Sequence, residues 1–430
     1  MNYNEAIQFI YSQLPMFTRI GAAAYKADLS TTINLCRALG NPEQSFKAIH
    51  IAGTNGKGSV SSFTASVLKE SGYKTGLFTS PHLRDFRERI RINGIMIPED
   101  YVANFVSTNH ALFTKLKPSF FEMSFAMAAC YFRDEHVDIA VIETGMGGRL
   151  DSTNLVHPVA TVITNIGLDH MQFLGETLAA IATEKAGIIK PNIPVIIGER
   201  NRETDEVFVQ TAKKHASPIC FAEDIYTIDE HQYTAETNLL SAILRDTIAA
   251  ETFTLVSPLP GIYQLKNLKT TLTLLKHVSP KLHSITHETV CAGISNVLIN
   301  TGILGRWQVL RSKPLAIADT GHNQHGLKGV LEQIGLIKYQ KLHVVLGMVS
   351  DKDIGPVLEL FPKNAQYYFC KPSIPRGLEV SELVKIANFH GLYGEAFTSV
   401  EEAFNAALLQ ADEKDFIFVG GSTFVVAEVV

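Results

Sequence analysis

Short runs of β-branched and apolar residues alternate along this chain with stretches whose apolar residues recur at helical spacing. Five such runs in the first half predict β-strands: Ala48–Ala52, Thr75–Thr79, Ile139–Glu143, Ala160–Thr164 and Val195–Gly198. Strands that alternate with helices are joined by crossover connections, so this pattern predicts a mostly parallel sheet. Ligands of such sheets bind at the carboxyl ends of the strands, where four of the five runs end in polar or glycine-rich sequence.

The pattern changes twice further along the chain. Three short runs in the middle are typical of antiparallel strands in a small appended sheet: Tyr226–Ile228, Tyr233–Ala235 and Phe253–Leu255. A helical pattern over His287–Ile299 and a glycine-punctuated connector, Asn300–Arg306, precede a second alternating series. Its predicted strands are Leu315–Ala318, His343–Leu346, Gln366–Cys370 and Phe416–Val419. We therefore predict two domains, residues 1–299 and residues 300–430, of which the second is a smaller α/β domain.

Composition narrows the class of protein. At 430 residues the chain is too long for one compact core, which agrees with two domains. No apolar run approaches the roughly 20 residues of a membrane helix, and the first residues lack a basic segment followed by an apolar block, so we expect a cytoplasmic protein. Five scattered cysteines fit neither a disulfide framework nor a zinc site. A net charge of −5 without a basic run argues against nucleic acid and favours a small-molecule partner.

The segment Ile49–Ser59 has the features of a phosphate-binding loop. A β-branched run leads into a glycine-rich turn with one lysine and one hydroxyl, and helical spacing follows. Strand, glycine turn and helix in that order direct backbone N–H groups towards an anion, and Lys57 adds a point charge. The usual P-loop spacing is not met, because Gly58 separates Lys57 from Ser59 and Ile51 replaces the first glycine. The loop indicates a nucleoside triphosphate; the alternative is an ordinary tight turn between a strand and a helix.

Side chains able to bind a metal follow three of the predicted strands. Glu143 ends an apolar strand and is a candidate ligand, since Mg²⁺ favours one or two carboxylates together with phosphate oxygens. Ser80 ends another strand and offers a neutral oxygen, while Asp169 and His170 follow a third. His170 is a candidate second metal ligand or phosphate donor. Taken singly, each is also explained as a solvated loop residue or a structural histidine.

Other polar segments have ordinary explanations when taken singly. The arginines of Phe86–Ile90 suit an anionic substrate or pair with neighbouring acids. Lys185 ends a helical pattern, where a lysine usually complements the helix dipole. Asp319–Asn323 ends a strand of the second domain and, with Arg306, is a weak candidate for a small-molecule site.

Taken together, these segments resemble one family. The chain is similar to the folylpolyglutamate synthase and dihydrofolate synthase branch of the ATP-dependent Mur ligase superfamily, whose phosphate loop carries the inserted Gly58. The matching motifs occur in family order across nearly the whole chain: Gly53–Ser59, Thr79–Leu83, Phe86–Ile90, Glu143–Asp151, Leu168–His170, Glu184–Ile188, Gln264–Asn267, Gly305–Arg306 and Asp319–Asn323. Ordered motifs over such a length are far more specific than one glycine loop.

The resemblance implies an α/β fold with a larger N-terminal P-loop mononucleotide-binding domain, whose mostly parallel sheet is accompanied by a small antiparallel sheet. A smaller C-terminal Rossmann-like α/β domain follows. The resemblance also implies three sets of site residues. ATP would be bound by Gly53, Asn55, Gly56, Lys57, Gly58, Ser59, Asn267, Arg306 and Asp319. One or two Mg²⁺ ions would be bound by Ser80, Glu143, His170 and Lys185. The pterin substrate would be bordered by Phe121, Glu122, Ser124, Leu150, Asp151 and Ser152.

Lys185 matches the family's N6-carboxylated lysine. A lysine with a pKa near about 10.4 is a cation and cannot bind a metal, whereas its carbamate offers anionic oxygens. Lys57, Lys185 and His322 are predicted to be catalytic. The chain departs from the family in two places: Gly321, His322, Asn323 and Gln324 stand where Ala-His-Asn-Pro is common, and Gln308 replaces a frequent acid.

We therefore predict an ATP-dependent carboxylate–amine ligase that joins L-glutamate to a folate or dihydropteroate carboxylate through an acyl phosphate. The alternative within the superfamily is a ligase that adds an amino acid to a UDP-MurNAc-peptide. A kinase-like NTPase would instead transfer phosphate to a hydroxyl, and a nucleotide-binding regulator would not need the metal residues. The motifs do not separate dihydrofolate synthase from folylpolyglutamate synthase. The expected partners are ATP, L-glutamate and dihydropteroate or a reduced folate, without nucleic acid or membrane, and we expect a monomer.

Overall fold

The computed structural model describes residues 1–12, 28–350 and 354–430. Its α-helices there are α1 (Tyr3–Ser12), α2 (Ser30–Ala38), α3 (Lys57–Glu70), α4 (Glu99–Leu116), α5 (Phe120–Asp134), α6 (Met171–Leu174), α7 (Leu178–Ala186), α8 (Asp205–Lys214), α9 (Ala222–Ile225), α10 (Gln264–Val278), α11 (His287–Ser295), α12 (Val297–Thr301), α13 (Gln324–Ile334), α14 (Gly355–Leu358), α15 (Val380–Phe389), α16 (Val400–Gln410) and α17 (Thr423–Ala427). Short 3₁₀ helices span Pro42–Gln44, Phe86–Arg89, Ser152–Leu155 and Ser279–Lys281.

The β-strands form three sheets. They are β1 (Lys47–Ala52), β2 (Thr75–Phe78), β3 (Ile90–Ile92), β4 (Ile95–Met96), β5 (Ile139–Glu143), β6 (Pro158–Ile163), β7 (Val195–Ile197), β8 (Ile219–Phe221), β9 (Tyr226–Thr234), β10 (Leu239–Asp246), β11 (Thr252–Ser257), β12 (Gln308–Ser312), β13 (Leu315–Ala318), β14 (Leu342–Leu346), β15 (Gln366–Phe369), β16 (Gly394–Ala396) and β17 (Phe416–Gly420).

The largest sheet has the strand order β4-β3-β2-β5-β1-β6-β7-β8. Its strands from β2 to β8 in that order run parallel, and β3 and β4 add an antiparallel hairpin at one edge. After β1 the chain passes to β2 and β5 on one side, and only then to β6, β7 and β8 on the other. The winding therefore reverses at β1, which is where ligands bind in sheets of this type.

The register of this sheet places polar strand ends side by side. Ile51 near the end of β1 pairs with Glu143 at the end of β5, and Ala52 pairs with Ile163 at the end of β6. Both β5 and most of β1 are buried on both faces, as expected for parallel strands covered by helices. The loops after β1, β5 and β6 consequently begin next to one another at the same edge of the sheet.

Helix α3 is buried on all sides along most of its length, from Ser59 to Leu68. Helix α11 crosses it so closely that a Cβ on Gly293 would lie 2.5 Å from the Cα of Val67. At the same crossing the Ser66 hydroxyl donates a hydrogen bond to the Gly293 carbonyl at 2.6 Å. Small hydroxylated residues thus replace large apolar ones on α3, because its backbone must come close to its neighbour.

The small sheet has the order β11-β10-β9, and the structure confirms an appended antiparallel sheet with two corrections. Tyr226–Ile228 and the first two residues of Tyr233–Ala235 belong to a single strand, β9, which ends at Thr234. Strand β10 was not predicted, although its residues alternate between half-buried and buried positions, with Leu240, Ala242 and Leu244 inside. Its residues Leu239–Leu244 are apolar except for Ser241, and so short a mainly apolar run does not distinguish a strand from a helix.

The sheet of the C-terminal part has the order β12-β13-β17-β14-β15-β16 and is parallel except for the pairing of β12 with β13. The predicted smaller α/β domain is confirmed. The predicted helix His287–Ile299 is divided into α11 and α12 at Asn296.

The chain divides into two compact units. The first comprises Met1–Gln232, Ser241–Pro258 and Gln264–Ile303, and the second comprises Tyr233–Leu240, Leu259–Tyr263 and Leu304–Val430. In the part of the chain that the structure describes, no helix combines the length and hydrophobicity needed to cross a membrane.

Candidate active site

The loop between β1 and α3 has the geometry of a phosphate-binding turn. Gly56 precedes the first turn of α3 with φ of 81°, in the left-handed region that favours glycine. A Cβ on Gly56 would also lie 2.3 Å from Oδ1 of Asn267. The first N–H groups of a helix have no acceptor within the helix, so the start of α3 can bind an anion.

Two residues after β6 hold this loop in place. Asn165 accepts the Thr54 N–H on its backbone carbonyl at 3.0 Å and the Asn55 N–H on its side-chain Oδ1 at 2.8 Å. The Thr164 hydroxyl donates to the Asn55 carbonyl at 2.5 Å. Sequence reasoning missed both residues, although polar side chains directly after an apolar strand were a usable signal. They fix the loop backbone before any ligand arrives.

Lys57 and Lys185 converge on one backbone oxygen of this loop. The Gly53 carbonyl accepts hydrogen bonds from Nζ of Lys57 at 3.1 Å and from Nζ of Lys185 at 2.9 Å. Lys185 is 4% exposed, unlike a lysine that merely complements a helix dipole at the surface. Burial, reinforced by the Lys57 charge and opposed by Asp169 and Asp151, lowers the pKa of Lys185 to about 7. A large part of the Lys185 side chain is therefore an uncharged amine near neutral pH.

Ser80 and Glu143 lie together beside the loop. The Ser80 N–H donates to Oε2 of Glu143 at 3.2 Å, and the Glu143 side chain is buried. His170 begins the short helix α6 with a left-handed backbone, and its N–H donates to Oδ1 of Asp169 at 2.9 Å. Oxygen donors such as these suit Mg²⁺. A cationic Lys185 does not suit it, whereas a Lys185 carbamate does.

Residues 1–12, 28–350 and 354–430 contain no cluster of three His, Cys, Asp or Glu side chains that could hold a metal ion. The predicted magnesium set is of another kind, because it has only two such residues, Glu143 and His170, beside a serine and a lysine. Its role stays a prediction.

Asn267 reaches the phosphate loop from α10. Its Oδ1 faces Gly56, and its Nδ2 donates to Oε1 of Gln264 at 2.7 Å. Nε2 of Gln264 in turn donates to the Ser59 hydroxyl at 3.1 Å. The two motifs, far apart in the sequence, are thus joined at the start of α3.

Asp151, predicted to border the pterin, is a buried cap. It accepts the Met146 N–H at 2.9 Å, the Thr153 N–H at 3.0 Å and the Thr153 hydroxyl at 2.5 Å. That hydroxyl also lies 2.8 Å from Nε2 of His50, which must donate to it because the hydroxyl proton goes to Asp151. Burial, and to a smaller extent the Lys190 charge, lowers the pKa of His50 to about 3.

The other predicted pterin residues lie near the start of α5 or after β5. Glu122 closes a capping box with Ser119 and accepts the Thr32 hydroxyl at 3.0 Å, while the Ser124 hydroxyl donates to a helix carbonyl. Phe121 is half-buried, and a Cβ on Gly145 would lie 2.7 Å from its ring. Leu150 is half-buried and Ser152 is buried. Their role towards a pterin stays a prediction.

The two arginines of the 3₁₀ helix Phe86–Arg89 have different surroundings. Arg87 forms ion pairs with Asp85 at 2.6 Å and with Glu99 at 3.1 Å. Arg89 is 4% exposed, donates from Nε to Nδ1 of His82 at 2.7 Å, and lies over the Phe120 ring with its Cζ 4.9 Å from the centroid.

In the second unit, Asp319 is fully engaged by its own chain. It accepts the Tyr263 hydroxyl, the Trp307 N–H at 2.8 Å and the Gly321 N–H at 2.8 Å. Arg306 donates to the Thr320 hydroxyl, and His322 donates from Nδ1 to the Thr320 carbonyl at 3.0 Å. Burial raises the pKa of Asp319 despite these hydrogen bonds.

Two family models match the chain: the Mur ligase middle domain over residues 51–275 and the Mur ligase glutamate ligase domain over residues 305–423. The chain is 31% identical over 434 residues to a folylpolyglutamate synthase of Lacticaseibacillus casei, with 98% of this chain and 96% of that protein covered. It is also 31% identical over 440 residues to a probable bifunctional folylpolyglutamate synthase/dihydropteroate synthase of Haloferax volcanii. There 100% of this chain matches 50% of that protein, so the chain spans about half the length of that relative.

Solved structures agree over the whole chain. A folylpolyglutamate synthase complex with AMPPCP and folate superposes with a TM-score of 0.85 at 29% identity, covering 100% of this chain and 98% of that one. A bifunctional folylpolyglutamate synthase/dihydrofolate synthase from Yersinia pestis, complexed with AMPPNP and Mn ion, has a TM-score of 0.84 at 25% identity, covering 100% and 97%.

Proposed function

The chain belongs to the Mur ligase family, in its folylpolyglutamate synthase and dihydrofolate synthase branch, and on that premise we propose that it is an ATP-dependent ligase. It joins L-glutamate to the carboxylate of a folate or of dihydropteroate through an acyl phosphate. The relatives reported above are folate enzymes, which favours this acceptor over the UDP-linked peptide of the alternative.

The convergence of Lys57 and Lys185 on the Gly53 carbonyl carries the proposal. If both side chains were ammonium groups they would repel each other at this acceptor, which supplies only a partial negative charge, and the Lys57 charge is one reason why the pKa of Lys185 is lowered. An anion bound beside the two lysines would therefore stabilise them electrostatically. The start of α3 faces the same loop, so the site suits the phosphates of ATP.

In the first step a carboxylate oxygen of the acceptor attacks the γ-phosphorus of ATP, and the bond from that phosphorus to the β-phosphate oxygen breaks. The products are ADP and an acyl phosphate. There is little covalent chemistry for the protein in such a step, so its residues position the phosphates and balance charge. Lys57 and the backbone N–H groups of Gly58 and Ser59 perform this role.

Lys185 is proposed to act as a carbamate. Its uncharged Nζ attacks the carbon of carbon dioxide, an N–C bond forms, and one proton is released. The added carboxylate converts repulsion from Lys57 into attraction. Mg²⁺ would be held by this carbamate with Ser80, Glu143 and His170, and when bound it supplies charge neutralisation at the phosphates.

In the second step the amine of glutamate attacks the acyl carbon, phosphate leaves, and the nitrogen loses a proton as the amide forms. An acyl phosphate is hydrolysed by water, so the site must bind the amine before water reaches the intermediate. Whether the physiological acceptor is dihydropteroate or a reduced folate is a matter for direct assay with both.

The test of the ligase is ADP release that depends on glutamate and on a pteridine acceptor, with the product identified by the mass of one added glutamyl residue. Removal of divalent metal with a chelator should abolish turnover, and added Mg²⁺ should restore it. Phosphate transfer to a hydroxyl without an amine acceptor would instead support a kinase-like NTPase.

The carbamate has a separate test. Protein equilibrated with ¹³C-labelled bicarbonate should give a carbamate carbon resonance that is absent from Lys185→Arg. If wild-type protein gives no such resonance while it is fully active, Lys185 acts as an amine. The expectations of a monomer and of a cytoplasmic location stay predictions.

A further inference from the structure

Arg89 is the buried arginine of this site that lacks a carboxylate partner. Arg87, two positions earlier on the same 3₁₀ helix, pairs with two acids at the protein surface. The guanidinium of Arg89 is nearly enclosed, yet among the described residues Nε is its sole hydrogen-bonding atom and no carboxylate forms an ion pair with it. Placing an unpaired charge away from water is unfavourable, because the charge loses its hydration. Such a cost is tolerated where the charge serves a ligand.

The surroundings of Arg89 fix the direction of its guanidinium. Nδ1 of His82 accepts from Nε of Arg89, so the proton of that imidazole is on Nε2, which lies 3.3 Å from the Tyr11 hydroxyl. The Phe120 ring covers one face of the guanidinium. With Nε and one face occupied, the two Nη atoms form the remaining edge. In the described part of the chain neither Nη atom donates a hydrogen bond to a protein acceptor.

Arg89 remains a cation at neutral pH. Burial lowers its pKa to about 10, although Tyr11, Glu143 and Glu88 nearby act in the opposite direction. The hydrogen bond to Nδ1 of His82 holds the guanidinium in place.

The position of Arg89 connects two sets of predicted site residues. Its carbonyl accepts the Thr79 N–H at 3.0 Å, and the next residue, Ser80, donates to Glu143 of the proposed metal set. Its guanidinium lies on Phe120, which directly precedes Phe121 of the proposed pterin set. Arg89 is therefore connected through direct contacts and neighbouring residues to both proposed sets. A pteridine acceptor carries its carboxylate at the end away from the pterin.

We propose that the two Nη groups of Arg89 bind the carboxylate of the acceptor and hold it for attack on ATP. The planar guanidinium edge matches a carboxylate with two parallel N–H···O hydrogen bonds. The inference rests on the proposed ligase function and names the residue that selects a carboxylate-bearing acceptor. It also explains why this arginine has no acid of its own, since an acid in that place would compete with the substrate.

The first test uses wild-type protein and two ligands. Binding of dihydropteroate is compared, by calorimetry without ATP, with binding of its decarboxylated analogue, which keeps the pterin and the aniline ring. We expect the analogue to bind about 10- to 100-fold more weakly, since a charged hydrogen-bonded pair contributes on that scale. Equal affinities would overturn the proposal without any mutation.

The second test assigns the preference to Arg89. In Arg89→Gln the two ligands should bind within about threefold of each other, because the paired N–H donors are gone. Arg89→Lys keeps the charge and should retain part of the preference, with KM for the acceptor raised and KM for ATP unchanged. Arg87→Lys is the matched control and should keep the full ratio. Should Arg89→Gln not fold, Arg89→Lys alone decides through the same ratio.

The outcomes separate this proposal from the ligase itself. An active wild-type ligase whose preference survives in both Arg89 variants overturns the role of Arg89 only. A rise in KM for ATP instead of the acceptor would assign Arg89 to the nucleotide and also overturn it. A wild-type protein that neither binds the acceptor nor releases ADP with glutamate overturns both proposals.

Discussion

The loop after β1 in the first unit and the loop after β13 in the second unit both carry charged residues at the carboxyl end of a parallel strand, but they use them differently. At the first loop, Lys57 and Lys185 both donate to the Gly53 carbonyl, and neither donates to a carboxylate within the described residues. In the second loop, Asp319 accepts two backbone N–H groups and a tyrosine hydroxyl.

This difference teaches how to separate ligand-binding charges from structural ones. A charge whose hydrogen-bonding capacity is filled by its own chain stabilises the fold, and a ligand that displaced those bonds would gain little. A charge held only by weak neutral acceptors is available to a ligand of opposite sign. By this criterion we expect Lys57, Lys185 and Arg89 to bind ligands and Asp319 and Asp151 to stabilise the fold around them.

The largest expected effect comes from removing the half-buried Lys57 charge of the first loop. Lys57→Ala should lower kcat by about 100- to 1000-fold, as loss of one preorganised donor to a reacting group does. The free energy of unfolding should hardly change, because Lys57 bonds only to its own loop. Glutamate-dependent ADP release measures the first quantity and urea unfolding the second. Lys74→Ala, at an exposed ion pair, is the control; unchanged turnover in Lys57→Ala would refute the phosphate role.

The second loop should respond in the opposite way. Asp319→Asn leaves one of three donors without its carboxylate acceptor, so the free energy of unfolding should fall by about 1–3 kcal/mol. Tyr263→Phe removes one of the three hydrogen bonds and should cost less. Urea unfolding of both variants checks this order. A stable Asp319→Asn protein with a raised KM for ATP would place Asp319 among the ligand-binding residues. It would contradict the proposed difference between the two loops.

The buried hydrogen-bonded chain of His50, Thr153 and Asp151 in the first unit predicts that the free energy of unfolding depends on pH. The folded-state pKa of His50 is about 3, below the ordinary value of about 6.5. Between these values the unfolded chain binds a proton that the folded chain does not, so stability falls as pH is lowered. The slope from His50 is at most about 1.4 kcal/mol per pH unit. Urea unfolding of wild type and His50→Gln across this range should show a shallower slope in the variant; identical slopes would exclude His50 as a contributor.

The smallest effect is expected at the exposed ion pair between Arg149 and Glu184, whose atoms are 2.8 Å apart. Exposed pairs contribute less than about 1 kcal/mol, so Arg149→Ala should change both unfolding and turnover little. Thermal unfolding and ADP release measure this. A large loss of turnover with unchanged stability would mean that the pair positions the neighbouring Lys185. Arg149 would then count among the residues that support the first loop's function.

Local sequence was sufficient to predict where polar residues leave the main sheet. Glu143 and the phosphate loop follow short β-branched runs that lead into glycine-rich sequence, and the structure has strands at these places. Strand β10 was missed because an apolar run of that length does not distinguish strand from helix. Thr164 and Asn165 were missed as supports of the loop because their partners lie far away in the chain.

The sequence by itself determined the α/β architecture, the family motifs and the residues available for chemistry, because strand patterns and glycine turns depend on neighbouring residues. Only the tertiary structure decided which charged side chains are satisfied by hydrogen bonds within the chain and which are left to bind a ligand. Lys185 meets Lys57 at one carbonyl, Arg89 meets a neutral histidine, and Asp319 meets a tyrosine hydroxyl. Whether a charge is cancelled depends on partners brought together across the chain, and no local pattern encodes that pairing.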